Sequence, residues 1–385
     1  MKKNLLLLAV AVAALASCSN DETIAVNNGN SNEISFRTLT TGVTRANAAG
    51  VRDGFVETDY FNVYAKHGSS KYFQADFTKQ STGGFTSTNK YYWPSDITSN
   101  NITFTAIYGA TQVDGTPGNI ASMEIPAAVS SQQDILVARH TSSAVQQPVP
   151  LNFYHALSQI YVRVKNTNPN IKVTITGVRV GYIATTGAFN YDRTSTGGVT
   201  DSDGKIEQSK WSNTAAVKSN KYDQDVTKNI SGSLAVDADP ETDGDDNALT
   251  SFSPWLLLPQ NMVTDANSYG YNTGSTSVTE ETKDNPDLAT SYIAIKMKVQ
   301  NISATSTDDE IIAAEQYHYW PITTNWNPGY KYIYMIDVAN GGYYPSDRVG
   351  NDKALDPIMS PIVFSADCTV TDWDTASGID VPAAS

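Results

Sequence analysis

Residues 317–338, YHYWPITTNWNPGYKYIYMIDV, carry the clearest indication of the fold. Every second residue near the end of this stretch is aromatic or aliphatic, namely Tyr330, Tyr332, Tyr334, Ile336 and Val338. Because side chains alternate between the two faces of a β-strand, this spacing places all of them on one face. We therefore predict a strand here with one side buried in a core.

A second stretch repeats the same order of features. Residues 91–108, YYWPSDITSNNITFTAIY, again give an aromatic cluster, a Trp-Pro pair, a turn and an alternating strand. The two stretches are much too far apart for a solenoid repeat. They fit two β-domains built on a related plan, and a chance recurrence of Trp-Pro is the alternative.

The rest of the chain gives the same indication. Alternating or β-rich segments begin at residue 33 and recur from residue 51 onward; they include EISFRTLT, ETDYFNVYAKH, KYFQADFT and NITFTAIYGA. Hydrophobic residues are 40% of the 385 residues, charged residues only 17%, and 21 residues are tyrosine, which favours strands. No window keeps a 3.6-residue period over three turns, so helices should be few and short. We predict an all-β, mainly antiparallel protein.

The polar turn NTNPN, residues 166–170, suggests a domain boundary. The periodic stretch PVPLNFYHALSQIYVRVKN ends there, and a new series of strands follows. We therefore predict a first domain at 46–166, a second at 167–373 and a tail at 374–385. Residues 192–250 are poor in hydrophobic side chains and are interpreted as long loops that carry some strand, on the surface of the second domain.

The first residues indicate export. Lys2 and Lys3 precede the apolar run LLLLAVAVAALA, and Ser17 and Cys18 follow it, which predicts a signal peptide at 1–17. The ending L-A-S-C resembles a bacterial lipobox, which implies cleavage before Cys18 and attachment of lipid, such as palmitate, to its sulfur. The next residues, SNDE, resemble the signals that send Bacteroidetes lipoproteins to the cell surface. An ordinary signal peptide with an incidental cysteine is the alternative.

The sequence contains none of the catalytic motifs that we sought. None of its four histidines belongs to H-E-x-x-H, and there is no P-loop, nucleophile elbow or dinucleotide-binding fingerprint. His155 is expected to be a packed or hydrogen-bonded strand residue. If Cys18 is lipidated, Cys368 is the only other thiol, so neither an intramolecular disulfide nor a cysteine zinc cluster can form. We predict no enzymatic activity, no cofactor and no metal, and the net charge of −14 without a basic block argues against nucleic acid.

One acidic run invites comparison with a calcium loop. Residues 237–250, DADPETDGDDNALT, space their carboxylates as the start of an EF-hand does. Such a loop ends with a bidentate glutamate at its twelfth position, and here that position is Thr250. We interpret the run as a solvated acidic loop, and calcium binding stays the alternative.

Taken in order, the motifs resemble the fimbrillins, the subunits of the type V pili of Bacteroidia. The order is a lipobox, a tether, one strand, an arginine, a Trp-Pro strand, an L-x-F-x-H-A-L-S strand and a final C-x-V-x-D-W strand. The resemblance covers nearly the whole chain and implies two β-sandwich domains of transthyretin-like type. It also implies a lipoprotein precursor that a surface Arg-specific protease cuts behind the first strand.

In this chain the matching bond is Arg45–Ala46, within TGVTRANAAGV at 41–51. Small flanking residues and a glycine predict an accessible, extended segment there. Arg37 lies inside the strand pattern, and Arg52 is followed by an aspartate, so both are weaker candidates. An uncut surface loop is the alternative.

Cleavage at this bond would remove a lipidated propeptide, residues 18–45, together with the first strand. Ile34, Phe36 and Thr38 share one face of that strand. In the uncut chain we expect Ile34 and Phe36 to be buried in the first domain, with the strand at its edge. Loss of the strand would open a groove that a strand of another subunit could fill.

The donor of such a strand is less clear from the sequence. PIVFSADCTVTDW places on one strand face Ile362, Phe364, Ala366, Cys368 and Val370. This segment could be the donor or the last core strand of the second domain. The tail at 374–385 offers only Ile379 and Val381 as apolar anchors, so stalk, tip and anchor positions all stay open.

The predicted function is therefore that of a structural fimbrial subunit that supports adhesion. Its partners would be other fimbrial subunits, an Arg-specific surface protease and, before processing, the outer membrane. The alternative is a monomeric or anchored surface lipoprotein that binds a glycan or a protein receptor through exposed aromatic side chains.

Overall fold

The structure, a computed structural model, describes residues 32–40, 55–81, 83–193, 206–217, 219–231, 250–263, 290–301, 310–340, 343–345, 355–357 and 366–372. The predicted site residues that lie outside these ranges are Cys18, Arg45, Ala46, Ile362, Phe364 and the acidic run from 237 to 249.

The described residues form strands and a few short helical turns. The first strands are β1 (Phe36–Thr40), β2 (Tyr60–His67), β3 (Ser70–Lys79), β4 (Phe85–Thr86), β5 (Ile102–Tyr108), β6 (Asn119–Glu124), β7 (Leu136–Ser142), β8 (Val149–His155) and β9 (Ser158–Lys165). The next are β10 (Ile171–Gly181), β11 (Thr186–Asn190), β12 (Trp211–Asn213), β13 (Lys221–Ser231), β14 (Thr250–Ser251) and β15 (Trp255–Leu257). The last are β16 (Tyr292–Asn301), β17 (Glu310–Pro321), β18 (Tyr330–Asp337), β19 (Tyr343–Pro345), β20 (Leu355–Pro357) and β21 (Ala366–Asp372).

The helical turns in the described ranges are short 3-10 segments at Val129–Ser131, Gln208–Lys210 and Val338–Asn340. None of the helical segments in the described ranges could span a lipid bilayer. The prediction of an all-β protein with few, short helices is confirmed.

The first core is enclosed by one sheet of seven strands in the order β1-β8-β7-β5-β2-β3-β4. Strand β1 lies at one edge of this sheet, and β3 lies near the other edge. The rings of Phe36 in β1 and Phe77 in β3 are nevertheless only 4.7 Å apart. The sheet therefore curls over, and its two edge regions meet across the core.

The second core lies between a six-stranded sheet and a five-stranded sheet. The first has the order β13-β10-β16-β17-β19-β20, and the second has the order β14-β9-β18-β21, with β15 also paired to β9. Tyr332, Tyr334 and Ile336 are buried in this core, which confirms the predicted inward face of β18. In β10 a bulge between Ile175 and Gly177 keeps apolar residues on both sides of it pointing into the core.

The two cores are not independent, because the same strands contribute side chains to both of them. Phe104 and Leu136 face the first core, whereas Ile107 and Val137, from the same strands β5 and β7, face the second. Strand β6 follows β5 in the chain but pairs with β11, in a three-stranded sheet of order β12-β11-β6 beside the second core. We conclude that the first sheet supports both cores, so neither half buries its apolar surface alone.

The second core also contains residues that precede position 167, and the domain boundary at 166–167 stays a prediction. Strand β9 pairs in parallel with β18, and its residues Ile160 and Val162 belong to the second core. Ala156 and Leu157, directly after β8, already belong to it as well. The polar turn after Lys165 leads from β9 to β10, so it lies within the second half of the fold. Alternation continues from β8 to β9, and periodicity alone could not show that the chain changes sheets.

Candidate site at the first strand

The site begins just before β1, where the chain is held from both sides. The backbone N–H of Ile34 donates to the carbonyl of Tyr91 at 2.7 Å, and the N–H of Trp93 donates to the carbonyl of Asn32 at 2.8 Å. These bonds join residues 32–34 antiparallel to residues 91–93. The aromatic cluster YYW at 91–93 therefore lines one side of the slot that holds residues 32–35.

The opposite wall of this slot is formed by the residues that lead into β8. The amide of Gln147 donates to the carbonyl of Glu33 at 2.9 Å. The backbone N–H of Val149 donates to the carbonyl of Ser35 at 2.8 Å. Residues 32–35 are thus enclosed on both sides before β1 continues as an edge strand.

Strand β1 pairs in parallel with β8, with Phe36 opposite Val149 and Thr40 opposite Phe153. Strand β7, the other neighbour of β8, pairs with it only at Leu136–His155 and Val137–Tyr154. Over Val149–Phe153, within the described part of the chain, β1 is therefore the ladder partner of β8. Removal of β1 would leave this half of β8 without its neighbour.

Phe36 occupies the centre of the first core. Its side chain is 1% exposed, and its ring meets Phe77, Phe104 and Phe61 edge-on at 4.7, 5.2 and 6.2 Å. Ile34 is also buried, as expected from the alternation. Burial of one such large apolar side chain stabilises the fold by about 1.5–3 kcal/mol. The first strand is therefore an integral part of the core and not an appendage.

Phe55, where the described chain resumes after Thr40, fills the same core from another direction. Its ring lies 5.0–5.5 Å from those of Phe61, Phe85, Tyr108 and Phe153. Sequence reasoning missed this residue, because it stands between Gly54 and Val56 and belongs to no alternating pattern. An isolated bulky aromatic beside a turn was the only signal available.

The remaining predicted residues of this strand take less buried positions. Thr38 and Arg37 are both half-buried, and Arg37 lies within β1. Because the segment at 41–54 lies outside the described ranges, Arg45 and Ala46 stay predictions as a cleavage site.

The segment that could have been a donor is seen here as a strand of the second sheet. Strand β21 pairs antiparallel with β18, and its positions 366, 368 and 370 stand opposite Ile336, Tyr334 and Tyr332. Of the two roles left open by the sequence, this pairing corresponds to that of a last core strand.

The histidine of the FYHALS motif is packed, as expected. His155 is buried at the end of β8, and its Nδ1 lies 2.7 Å from Oδ2 of the fully buried Asp134. The pair sits where the chain passes from the first core to the second. In the described ranges no group of three or more histidine, cysteine, aspartate or glutamate side chains is arranged to hold a metal ion.

The sheets and the site together define an all-β protein with two linked cores, whose first strand is held at a sheet edge. A family model described as fimbrillin-like matches residues 44–373, which is most of the chain. The chain therefore belongs to the fimbrillin-like family, a family of structural proteins of fimbriae. The matched span begins after β1 and ends after β21.

Several solved structures are similar at low identity. A candidate cell adhesion protein from Bacteroides ovatus is 16% identical, with a TM-score of 0.42, over 89% of this chain and 97% of that one. A fimbrial assembly protein from Parabacteroides distasonis is 9% identical, with a TM-score of 0.35, over 84% and 98%. The tip fimbrial protein Mfa3 from Porphyromonas gingivalis, truncated at its C-terminus, is 7% identical, with a TM-score of 0.34, over 82% and 95%. A comparison with curated proteins found no match.

Proposed function

We propose that this protein is a non-enzymatic fimbrial subunit that is exported as a lipoprotein, cut after Arg45, and assembled by strand exchange at the β1 position. Export would use the signal peptide at 1–17 and the lipid on Cys18, and the mature subunit would act in adhesion at the cell surface. The observation that carries the proposal is the position of β1. It is an edge strand, yet its Phe36 lies at the centre of the first core.

An edge strand with a core anchor is suited to exchange. A strand at the edge of a sheet can leave, and another can take its place, without breaking hydrogen bonds between the inner strands. Loss of its buried side chain exposes an apolar groove, which favours binding of another strand. Arg45 and Ala46 lie in the chain between β1 and Phe55. A cut there would separate β1 covalently while Phe55 stays with the body of the protein.

The covalent link explains why the precursor would stay monomeric. While β1 is attached, it competes for the groove at an effectively intramolecular concentration, which a strand from another molecule cannot match. After cleavage the two strands compete on equal terms, and head-to-tail addition of subunits produces an open fibre. No nucleotide or cofactor is required for this step.

The test uses the precursor, its Arg45→Ala variant and an Arg52→Ala variant as the matched control. An Arg-specific protease should release a fragment ending at Arg45 from wild type and from Arg52→Ala, but not from Arg45→Ala. Mass spectrometry identifies the fragment, and size-exclusion chromatography follows assembly. Assembly of Arg45→Ala as complete as that of wild type would show that cleavage at this bond is not the trigger.

The same experiment separates the possible positions in the fimbria. Because β21 is paired in the second sheet, the residues after it are the remaining C-terminal candidates for a donor. A stalk subunit should polymerise by itself after cutting. A tip subunit should accept a donor from another subunit but should not form chains alone.

One surface feature favours receptor binding as a second candidate function. Tyr72 and Tyr92 expose 39% and 49% of their surface, and the Tyr72 hydroxyl donates to the Tyr92 carbonyl at 2.7 Å. Neighbouring exposed rings can stack on sugars. If Tyr92→Ala abolishes glycan binding without changing assembly, adhesion would be assigned to this surface.

A further inference from the structure

We infer that the groove at the β1 position selects a strand with two large apolar side chains followed by a small one, and that Phe55 sets this limit. The inference rests on the proposed exchange of β1, and it names the kind of strand that would take its place. The strand now in the groove is the template for the partner.

One half of the first core, beside Ile34 and Phe36, is filled by β1 itself. Ile34 and Phe36 are both buried, and the ring of Phe36 lies against Phe77 and Phe104. Both large side chains precede Arg45 in the chain, so they would leave together with the strand. Their departure would open a pocket for two large apolar side chains, spaced two residues apart on one strand face.

The other half of the first core, beyond Thr38, is filled mainly by a residue that does not belong to β1. Thr38 is the next residue on the inner face of β1, because its register partner is the fully buried Leu151. Thr38 is small and only half-buried. The next core-facing residue of β8 is Phe153, which stands opposite position 40, and the ring of Phe55 packs on it at 5.0 Å.

Phe61 marks the division between the two halves. It contacts Phe36 at 6.2 Å and Phe55 at 5.5 Å, so these two rings lie along the same core and share a neighbour. Phe36 comes before the proposed cut and Phe55 comes after it. Exchange would therefore empty the Phe36 half and leave the Phe55 half occupied.

The partner that fits is an extended strand running parallel to β8, with a large–x–large–x–small pattern at the positions of residues 34, 36 and 38. A large residue at the third position would meet space already filled by Phe55, and overpacking of a filled core is unfavourable. The residue at the position of Arg37 points away from the core and should be little selected.

A mutational cycle in the uncut precursor tests the limit without any cleavage. Thr38→Phe should raise the equilibrium constant for unfolding at least about tenfold, since it adds bulk beside a filled core. In a Phe55→Ala background, where space has been opened, the factor by which Thr38→Phe raises this constant should be at least about tenfold smaller. Phe55→Leu provides a milder second background, and Arg37→Phe controls for added bulk on the outer face. Equal costs of Thr38→Phe in all backgrounds would overturn the inference.

Peptides then test selection by the cut protein. The probe is the chain's own segment 32–40, NEISFRTLT, added to protein from which the released fragment has been removed. Substitution of Phe36 by alanine in the peptide should weaken binding about 100-fold or more. The Thr38→Phe peptide should bind at least about tenfold more weakly than wild type, whereas the Arg37→Phe peptide should not. On Phe55→Ala protein the Thr38→Phe peptide should recover to within about threefold of wild type.

The outcomes separate the inference from the proposed function. If the Thr38→Phe and wild-type peptides bind cut protein equally well, the groove exchanges strands but Phe55 does not select them, and the inference is wrong. If no peptide binds although the precursor cycle shows the expected coupling, the division of the core stands and the exchange of β1 fails.

Discussion

Arg179 and its tyrosine neighbours, on the outer face of the six-stranded sheet, show how single residues are fitted in this fold. Its guanidinium donates to Asp223 from Nε and Nη2 and lies 3.9 Å from the centre of the Tyr317 ring. Burial alone would lower the pKa of Arg179, but the hydrogen bonds to Asp223 and the electrostatic attraction of Asp223 and the neighbouring tyrosines together outweigh it, and the pKa is raised. Beside it, the ring of Tyr292 lies over Gly181, its direct cross-strand neighbour.

Gly181 should therefore not tolerate a side chain. A methyl group there would overlap the ring of Tyr292, which is itself packed against Tyr319 at 5.2 Å and cannot easily move aside. We expect Gly181→Ala to lower the free energy of unfolding by about 1–3 kcal/mol. Gly177→Ala is the matched control on the same strand, since a methyl group there would meet its neighbours at ordinary contact distances of 3.4 Å or more. Chemical denaturation measures both, and equal losses would contradict the proposed clash.

The same tyrosine predicts a loss of stability at high pH. Burial raises the pKa of Tyr292 to about 12, and it does the same for Tyr191. Between pH 10 and pH 12 the folded protein keeps these protons and the unfolded chain does not. The free energy of unfolding should therefore fall as pH rises through this range, by at most about 1.4 kcal/mol per pH unit for each group. Denaturation from pH 9 to 12 should show a shallower fall in Tyr292→Phe than in wild type, and identical slopes would contradict this assignment.

At the scale of the element, β1 is short, but it contributes more to the core than its length suggests. Phe36→Ala should lower the free energy of unfolding of the precursor by about 3–5 kcal/mol, because it leaves a cavity among aromatic rings that cannot close. Thr38→Ala, on the same face but half-buried, should cost less than about 1 kcal/mol. Thermal or denaturant unfolding of the two variants checks this. Similar small losses in both would mean that β1 is a peripheral strand.

The elements also show what the sequence could and could not reveal. Alternation predicted the buried faces of β1 and β18 correctly, because a period of two fixes which side chains share a face. Alternation does not name the partner strand. The parallel pairing of β1 with β8, the transfer of β6 to the second core and the position of β9 all depend on contacts between distant segments. Phe55 could not be found at all, since a single aromatic residue has no period.

At the scale of the whole molecule, the two cores are joined by specific contacts. Arg139 on β7 donates from Nε to Thr105 at 3.1 Å, pairs with Asp192, and lies 4.1 Å from the centre of the Tyr191 ring. The backbone N–H of Tyr191 donates to the carbonyl of Gly118 at 2.9 Å. With β5 and β7 contributing to both cores, these contacts favour a stiff subunit over two loosely tethered domains. Such a subunit would suit a load-bearing fibre.

Hydrogen exchange at the backbone amides of β8 measures directly whether β1 holds this edge of the sheet and can be replaced there. The N–H of Val149 donates to Ser35, directly before β1, and the alternation of a parallel ladder points the amides of Leu151 and Phe153 to the same side, toward β1. In the uncut precursor these three amides should be protected. They should exchange rapidly once β1 has been cut free and removed, and they should regain protection when a donor strand is added. If they stay protected after the protease has cut the chain and the released fragment has been washed away, β1 does not hold this edge, and assembly by strand exchange at β1 is contradicted.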